Sequence, residues 1–392
     1  MIEIFLNQNR RSIKIELSDY FRKKAPSSFR KQLLSSGAFT RARAKLKETA
    51  FIQLLHDTVH FFQAHVPQSL RSSWHGYRIL AVDGSDLTLP DIPELCEEFG
   101  TQSNGSDVRV PMAKLSFLYD VNLKMPVDAQ LAKKHTSERD LAIQHFEQTK
   151  ANDLLLYDRG YYAYWFVLHH VLDNREFCLR LKRNACNQVK AFYKSGKKQT
   201  IITLEPTDDM RDKAIQRGLK ITPIRVRLIR LKTTKEDDYV LMTSLTDIVK
   251  YPHTDFYALY HLRWGVEEGF KTQKAFLNVE DFSGRTVHSI KQDVHASVLI
   301  QALIAIECFA SKPLINKKVK SRSFEYIINF TAAISQFKSA IVGLLSQKVN
   351  LDAIYLHLKL IANDLTIVKP DRSFEREKVR CKRQKNRRGY NK

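Results

Sequence analysis

Several kinds of segment are missing from this 392-residue chain. Cysteine occurs five times, at Cys96, Cys178, Cys186, Cys308 and Cys381, an odd number with no CxxC pair. That usage argues against a disulfide framework or zinc finger, and a reducing cytosol is the expected compartment. There is no GxGxxG and no GK followed by Ser or Thr, so an ATP-fuelled helicase or a dinucleotide enzyme has no support. The longest apolar stretch, Ala296 to Ala310, is broken by Gln301 and Glu307 and is too short to span a bilayer. It reads as a buried helix, and no membrane partner is expected. No secretory signal is expected from Met1 to Asn9, which is short and followed by charge. His135, His169 and His170 lack metal-ligand spacing with the cysteines and read as core or surface histidines. No internal repeat of fixed period is present.

Acidic side chains are also in short supply. Lys and Arg number 64 against 42 Asp and Glu, a formal charge of +22. Most of the excess sits at the two ends: residues 1–50 carry 12 basic and 4 acidic side chains, and 370–392 carry 10 and 3. Basic arms of this kind favour a polyanion, bound with strong salt dependence because condensed counterions are released.

The length suits two or three domains. Residues 1–75 read as helices: Ser27-Ser28 caps a segment through Leu34, Gly37 ends it, and Thr40 caps a basic helix through Leu54, a pattern compatible with helix-turn-helix DNA binding. From 76 to 184 the pattern becomes a mixed α/β sheet, with strands over 78–83, 114–120, 125–133, 153–158 and 176–181. Helices are expected from Ser137, paired with Asp140 as a cap, and over 163–173. Residues 185–246 read as a β-rich, mainly antiparallel insertion. In it Arg225 and Arg227 share one strand face, with Arg230 nearby, and can meet backbone phosphate while Val226 and Leu228 pack. Residues 247–290 hold a further helix region, 291–369 are helical, and 370–392 form a basic tail.

The chemistry-bearing segment is YHLRWGVEEGFKTQK over 260–274. On one helix, Tyr260, Arg263, Glu267, Lys271 and Lys274 fall within roughly 80° of one another as a polar stripe, flanked at core spacing by Leu259, Leu262, Val266 and Phe270. A carboxylate among cations and a phenol suits a metal-dependent reaction on phosphate. Two apolar runs elsewhere end in aspartates, Tyr77-Arg78-Ile79-Leu80-Ala81-Val82 in Asp83-Gly84 and Leu154-Leu155-Leu156-Tyr157 in Asp158-Arg159-Gly160. Three such oxygen donors suit Mg2+, with Mn2+ able to substitute, and two ions roughly 3.5–4 Å apart can drive an in-line displacement at phosphorus.

The spacing Tyr, two residues, Arg, three residues, Glu, six residues, Lys resembles the signature of the insertion-sequence (IS four) family of DDE transposases. Asp83 in VDGS and Asp158 in YDRGY resemble the family's two catalytic aspartates in their order. The resemblance covers roughly 75–275, with FTRARAKL near the N-terminus a weaker echo. It implies an RNase H-like core with a β insertion before the catalytic helix, and Asp83, Asp158 and Glu267 as metal ligands. It further implies cutting at transposon ends and joining to target DNA. Tyr260, Arg263, Lys271 and Lys274 would hold phosphates of the transposon end. Arg180 resembles a DNA-contacting position near the active site, and Tyr239 falls where relatives place a tryptophan that stacks on a flipped base. The expected partners are double-stranded DNA, at transposon ends and target, and a second copy of the chain, as a homodimer on DNA. The expected location is the bacterial cytoplasm, associated with the nucleoid. Two other readings stay open on sequence: a non-enzymatic DNA-binding transposase remnant, and a structure-specific nuclease without strand transfer.

Overall fold

The computed structural model describes residues 1–24, 34–71, 73–103, 109–232, 238–320, 323–346 and 350–368. The helix expected over Ser27–Leu34 and the basic tail 370–392 lie outside them, apart from Leu34. Nine strands form one sheet: β1 (Arg78–Thr88), β2 (Thr101–Ser103), β3 (Arg109–Asp120), β4 (Met125–Lys133), β5 (Asp153–Tyr157), β6 (Glu176–Leu181), β7 (Gln199–Leu204), β8 (Ile224–Leu231) and β9 (Tyr239–Thr243). β3 pairs antiparallel with β1, β4 and the short β2. β1, β5 and β6 run parallel, and β6 continues antiparallel through β9, β8 and β7. The order β4-β3-β1-β5-β6, three antiparallel strands followed by two parallel ones, is the RNase H-like core. The insertion extends it from the β6 edge.

The middle parallel strand, β5, is apolar after Asp153, as befits a strand covered on both faces. Leu154, Leu155, Leu156 and Tyr157 are all fully buried. The helix Tyr164–Leu172 packs on β6 and β8, and the helix Gly265–Lys271 packs on β1 and β3. The insertion is less purely β than its composition suggests, since it carries helices Asn187–Lys194 and Asp208–Ile215 between its strands. Arg225 and Arg227 do not behave alike either. Arg225 is exposed, whereas Arg227 is fully buried, donating to Gln199 and to the Tyr251 carbonyl at 2.7 Å with its guanidinium 5.2 Å over Phe256. It is therefore unavailable to phosphate.

The N-terminal region also departs from the expected pattern. Ser35, not Ser27, caps the first described helix after the gap, Ser36–Arg43, by accepting the Ala38 N–H at 3.1 Å. Gly37 lies inside that helix, and Thr40 is internal too, its hydroxyl donating to the Ser36 carbonyl at 2.9 Å. The next helix is Thr49–His65. Ser137 precedes the helix Glu138–Gln144 as expected but makes no side-chain capping bond.

The apolar stretch Ala296–Ala310 belongs to a helix of 33 residues, Val287–Val319, which by length and composition could cross a membrane. The expected length limit fails because helical structure continues beyond the apolar stretch at both ends. In this fold the helix is a core element, packed against β4, Thr49–His65 and the C-terminal helix Leu351–Asn363. Several of its buried polar groups are paired. Asp293, fully buried, faces Arg43 Nη2 at 3.0 Å, and Arg43 also donates to Gln292 and the Ser289 carbonyl. This network ties the helix Ser36–Arg43 to the long helix Val287–Val319. The C-terminal region adds a two-stranded ribbon, Tyr326–Ile328 with Leu365–Ile367, which its helical reading did not anticipate.

Candidate active site

β1 continues past Asp83 to Thr88, so Asp83 sits within a strand, opposite Phe117 of β3. The parallel register pairs Ala81 with Leu156. Continued by two residues, it brings Asp158, just beyond β5, level with Asp83 on the neighbouring strand and on the same face. Asp158 Oδ1 accepts the Gly160 N–H at 2.7 Å. A Cβ on residue 160 would stand 3.0 Å from that oxygen, so glycine leaves room for the carboxylate. Asp83 accepts the Gly84 N–H at 2.9 Å. Burial pushes its carboxyl up to about 6 against the pull of this bond and of Arg263, and the charges of Asp158 and Glu138 push the same way as burial.

The single helix expected over 260–274 is four pieces: the end of helix Asp255–His261, a 3-10 turn Leu262–Trp264, helix Gly265–Lys271, and a π turn Thr272–Phe276. The close approach to β3 is set by small and flat side chains. Phe270 stacks on Phe117 at 4.5 Å, and a Cβ at Gly269 would lie 2.7 Å from the Tyr119 ring. Leu259, Val266 and Phe270 are buried, as their spacing implied. This docking aims Arg263 at two carboxylates: its Nη2 donates to Glu267 Oε1 at 3.0 Å, and its Nη1 lies 3.5 Å from Asp83 Oδ2. Glu267 keeps 32% of its side chain exposed against 71% for Glu268.

The remaining expected DNA contacts are graded in exposure. Lys271 is exposed, 3.6 Å from Glu268, and Lys274 Nζ donates to the Asp86 carbonyl at 2.6 Å. Tyr260 is buried, its hydroxyl donating to the Tyr157 carbonyl at 3.3 Å, so the stripe is not uniformly open. Tyr239 is only 8% exposed, with the Arg180 guanidinium 4.6 Å over its ring and Tyr260 5.9 Å away. Arg180, Tyr239, Tyr260 and Arg263 thus form a row that ends at the carboxylates, Arg263 lying 5.9 Å over Tyr260.

Sequence reasoning missed a second charged group beside β1. Lys114 pairs with Glu138 at 2.8 Å and lies 3.7 Å from Asp86, which also binds Lys134 at 2.5 Å. Ending the strand at Asp83 hid Asp86. The alternation of β1, continued through Thr88, would have placed it on the face of Lys114. Trp264, half exposed beside Arg263, was also passed over.

Three carboxylates are hard oxygen donors and fit Mg2+ in kind. As the side chains stand, with Glu267 turned to Arg263, no three His, Cys, Asp or Glu among the described residues are grouped to hold one ion.

Residues 74–303 match the family described as Transposase DDE domain. The chain belongs to that family. Among DDE transposases, it is 28% identical over 244 residues to Transposase InsG for insertion sequence element IS4 of Escherichia coli (strain K12), covering 62% of this chain and 53% of InsG. It is 25% identical over 158 residues to Putative transposase InsZ of the same organism, covering 40% and 48%. The chain thus spans about half the length of the curated relatives it matches. The IS four affiliation read from the Tyr-Arg-Glu-Lys spacing is borne out. A cryo-EM structure of a piggyBac transposase synaptic complex with hairpin DNA aligns over 92% of this chain and 74% of that chain, with 9% identity and a TM-score of 0.39.

Proposed function

We propose that the protein is a DNA transposase that cuts transposon ends and joins them to target DNA by phosphodiester hydrolysis and transesterification. Asp83, Asp158 and Glu267 would hold the divalent ions, Mg2+ or Mn2+. The observation that carries the reading is the shared guanidinium: Arg263 holds Glu267 and lies beside Asp83, and Asp158 is near enough for its charge to push the Asp83 carboxyl up. Two divalent ions, when bound, supply Lewis acidity at the attacking and leaving oxygens.

The chain's own groups do the rest. Arg263 keeps like charges close together, and with Glu267 holding metal its guanidinium would be free to bind a phosphate. Lys271, Lys274 and Arg180 supply further positive charge toward the transposon end. Tyr260 and Tyr239, both inside, set the directions of Arg263 and Arg180. Chemistry at both ends of an element needs two active sites, so the working form is a homodimer on DNA, acting in the cytoplasm at the nucleoid.

The test is Mg2+-dependent cleavage of end-containing DNA by Asp158→Ala. The expected result is loss of cutting and of strand-transfer products. Undiminished cutting overturns the assignment.

A further inference from the structure

The first turn of the helix Glu138–Gln144 touches three different parts of the molecule with three consecutive side chains. Glu138 lies against β1, where a Cβ on Gly84 would come within 3.0 Å of its Oε1, and Lys114 binds that same oxygen at 2.8 Å. Arg139 Nη2 donates to the Gly160 carbonyl at 2.8 Å. Asp140 pairs at 2.7 Å with Arg217 of the insertion, whose guanidinium also lies 3.7 Å over Trp165.

The middle contact bears on catalysis. Residues 158–161 form a turn in which the Tyr161 N–H donates to the Asp158 carbonyl at 3.3 Å and the Gly160 N–H donates to the Asp158 side chain at 2.7 Å. Glycine has the most freedom to rotate its two flanking peptides, and here one of them sets the carboxylate rotamer. Arg139 fixes the other peptide from outside the turn. Its own backbone is held on one side through Glu138 by Lys114 and on the other through Asp140 by Arg217.

We propose that Arg139 is a positioning residue for Asp158, and that through it the first turn of this helix couples the insertion to the active centre. The inference rests on the transposase reading above. It adds a role for the insertion: Arg217 braces the helix that braces the metal-ligand loop.

The test uses the full chain in single-turnover cleavage of end-containing DNA at varied Mg2+, with DNA affinity and thermal midpoint measured beside it. Arg139→Ala is expected to lower the cleavage rate by about 100-fold, the cost of a misplaced reacting group, and to raise the Mg2+ concentration giving half the maximal rate. DNA affinity and thermal midpoint should stay at parental values. Arg139→Lys, which can still donate to the Gly160 carbonyl, should recover most of the rate, and Arg217→Ala should shift rate and Mg2+ dependence in the same direction by less. Parental cutting by Arg139→Ala overturns the proposal, as does a rate loss that follows a falling thermal midpoint and is not restored by lysine. Parental behaviour of Arg217→Ala overturns the coupling to the insertion. Asp158→Ala in the same assay separates the two levels, because parental cutting there defeats the transposase reading itself.

Discussion

Arg263 Nη1 lies 3.5 Å from Asp83 Oδ2, joining the 3-10 turn Leu262–Trp264, which follows the insertion, to the first strand of the sheet. The same guanidinium holds Glu267 at 3.0 Å, so one cation serves two carboxylates from segments far apart in the sequence. Removing it leaves the negative charges uncompensated in a largely buried site. Arg263→Ala should lower cleavage by ~10²-fold or more, and the Asp83 carboxyl should titrate at higher pH than in the parent. Carboxyl-carbon NMR of the metal-free protein reads the second effect, and an unchanged Asp83 titration would show that the pair is not coupled.

Two adjacent glutamates offer an internal control. Glu267 faces Arg263, whereas Glu268 projects outward and is 71% exposed. Glu267→Ala should abolish cutting, by on the order of 10³-fold, while Glu268→Ala should stay within about threefold of parent. Equal losses in the two variants would remove the case for Glu267 as the third ligand.

Arg41 and Arg43 occupy one basic helix but should fail in different assays. Arg43 is buried against Asp293, and breaking a buried ion pair from one side costs about 3–5 kcal/mol. Arg43→Ala should therefore shift the urea midpoint strongly. Arg41 is exposed, and if it meets a phosphate, Arg41→Ala should reduce the salt slope of DNA binding by about 0.9 with little change in stability. Fluorescence anisotropy across a salt series checks this, and an unchanged slope would take Arg41 off the DNA surface.

Gly269 marks a close approach of the helix Gly265–Lys271 to the sheet. Its missing Cβ would stand 2.7 Å from the Tyr119 ring, deep enough that ring or helix must move. Gly269→Ala should cost about 1–3 kcal/mol, the usual range for overpacking, and lower cleavage as Glu267 shifts away from β1. Chemical denaturation and cleavage assays on the same preparation check both effects.

Stability should respond to pH from two directions in the metal-free protein. Burial pushes His170 down to about 3, and its ring is held neutral between the Phe166 carbonyl at 2.8 Å and the Tyr157 hydroxyl at 2.9 Å. The unfolded chain takes up that proton near about 6.5, so this contribution is complete above that pH and is lost as pH falls toward 3. Asp83 has the opposite sign: with its carboxyl raised to about 6, folding is favoured at low pH and loses stability as pH rises from about 3.9 through 6. Thermal midpoints measured in chelator should fall less steeply on acidification in His170→Phe than in the parent. Asp83→Asn should raise the midpoint chiefly above pH 6.

The sequence by itself determined the strands of the core, the three candidate carboxylates and the family. Apolar runs ending in Asp-Gly and Asp-Arg-Gly, and the Tyr-Arg-Glu-Lys spacing, are local patterns that survive whatever the rest of the chain does. Only the tertiary structure decided how those groups face one another. Strand packing brought Asp158 near Asp83, and the docking of 255–276 on the sheet turned Arg263 toward Asp83 and Glu267 and buried Tyr260. Arg227 reads as a phosphate-facing charge, and Arg43 as one cation of a basic helix, because their partners, the Tyr251 carbonyl and Asp293, come from distant segments. Arg139 and Glu138 carried no motif at all, since their meaning lies in contacts with Gly160 and Gly84. The physical reason is common to all of these: spacing along the chain fixes periodicity and turns, whereas the partner of a charged side chain is set by the packing of elements remote in sequence.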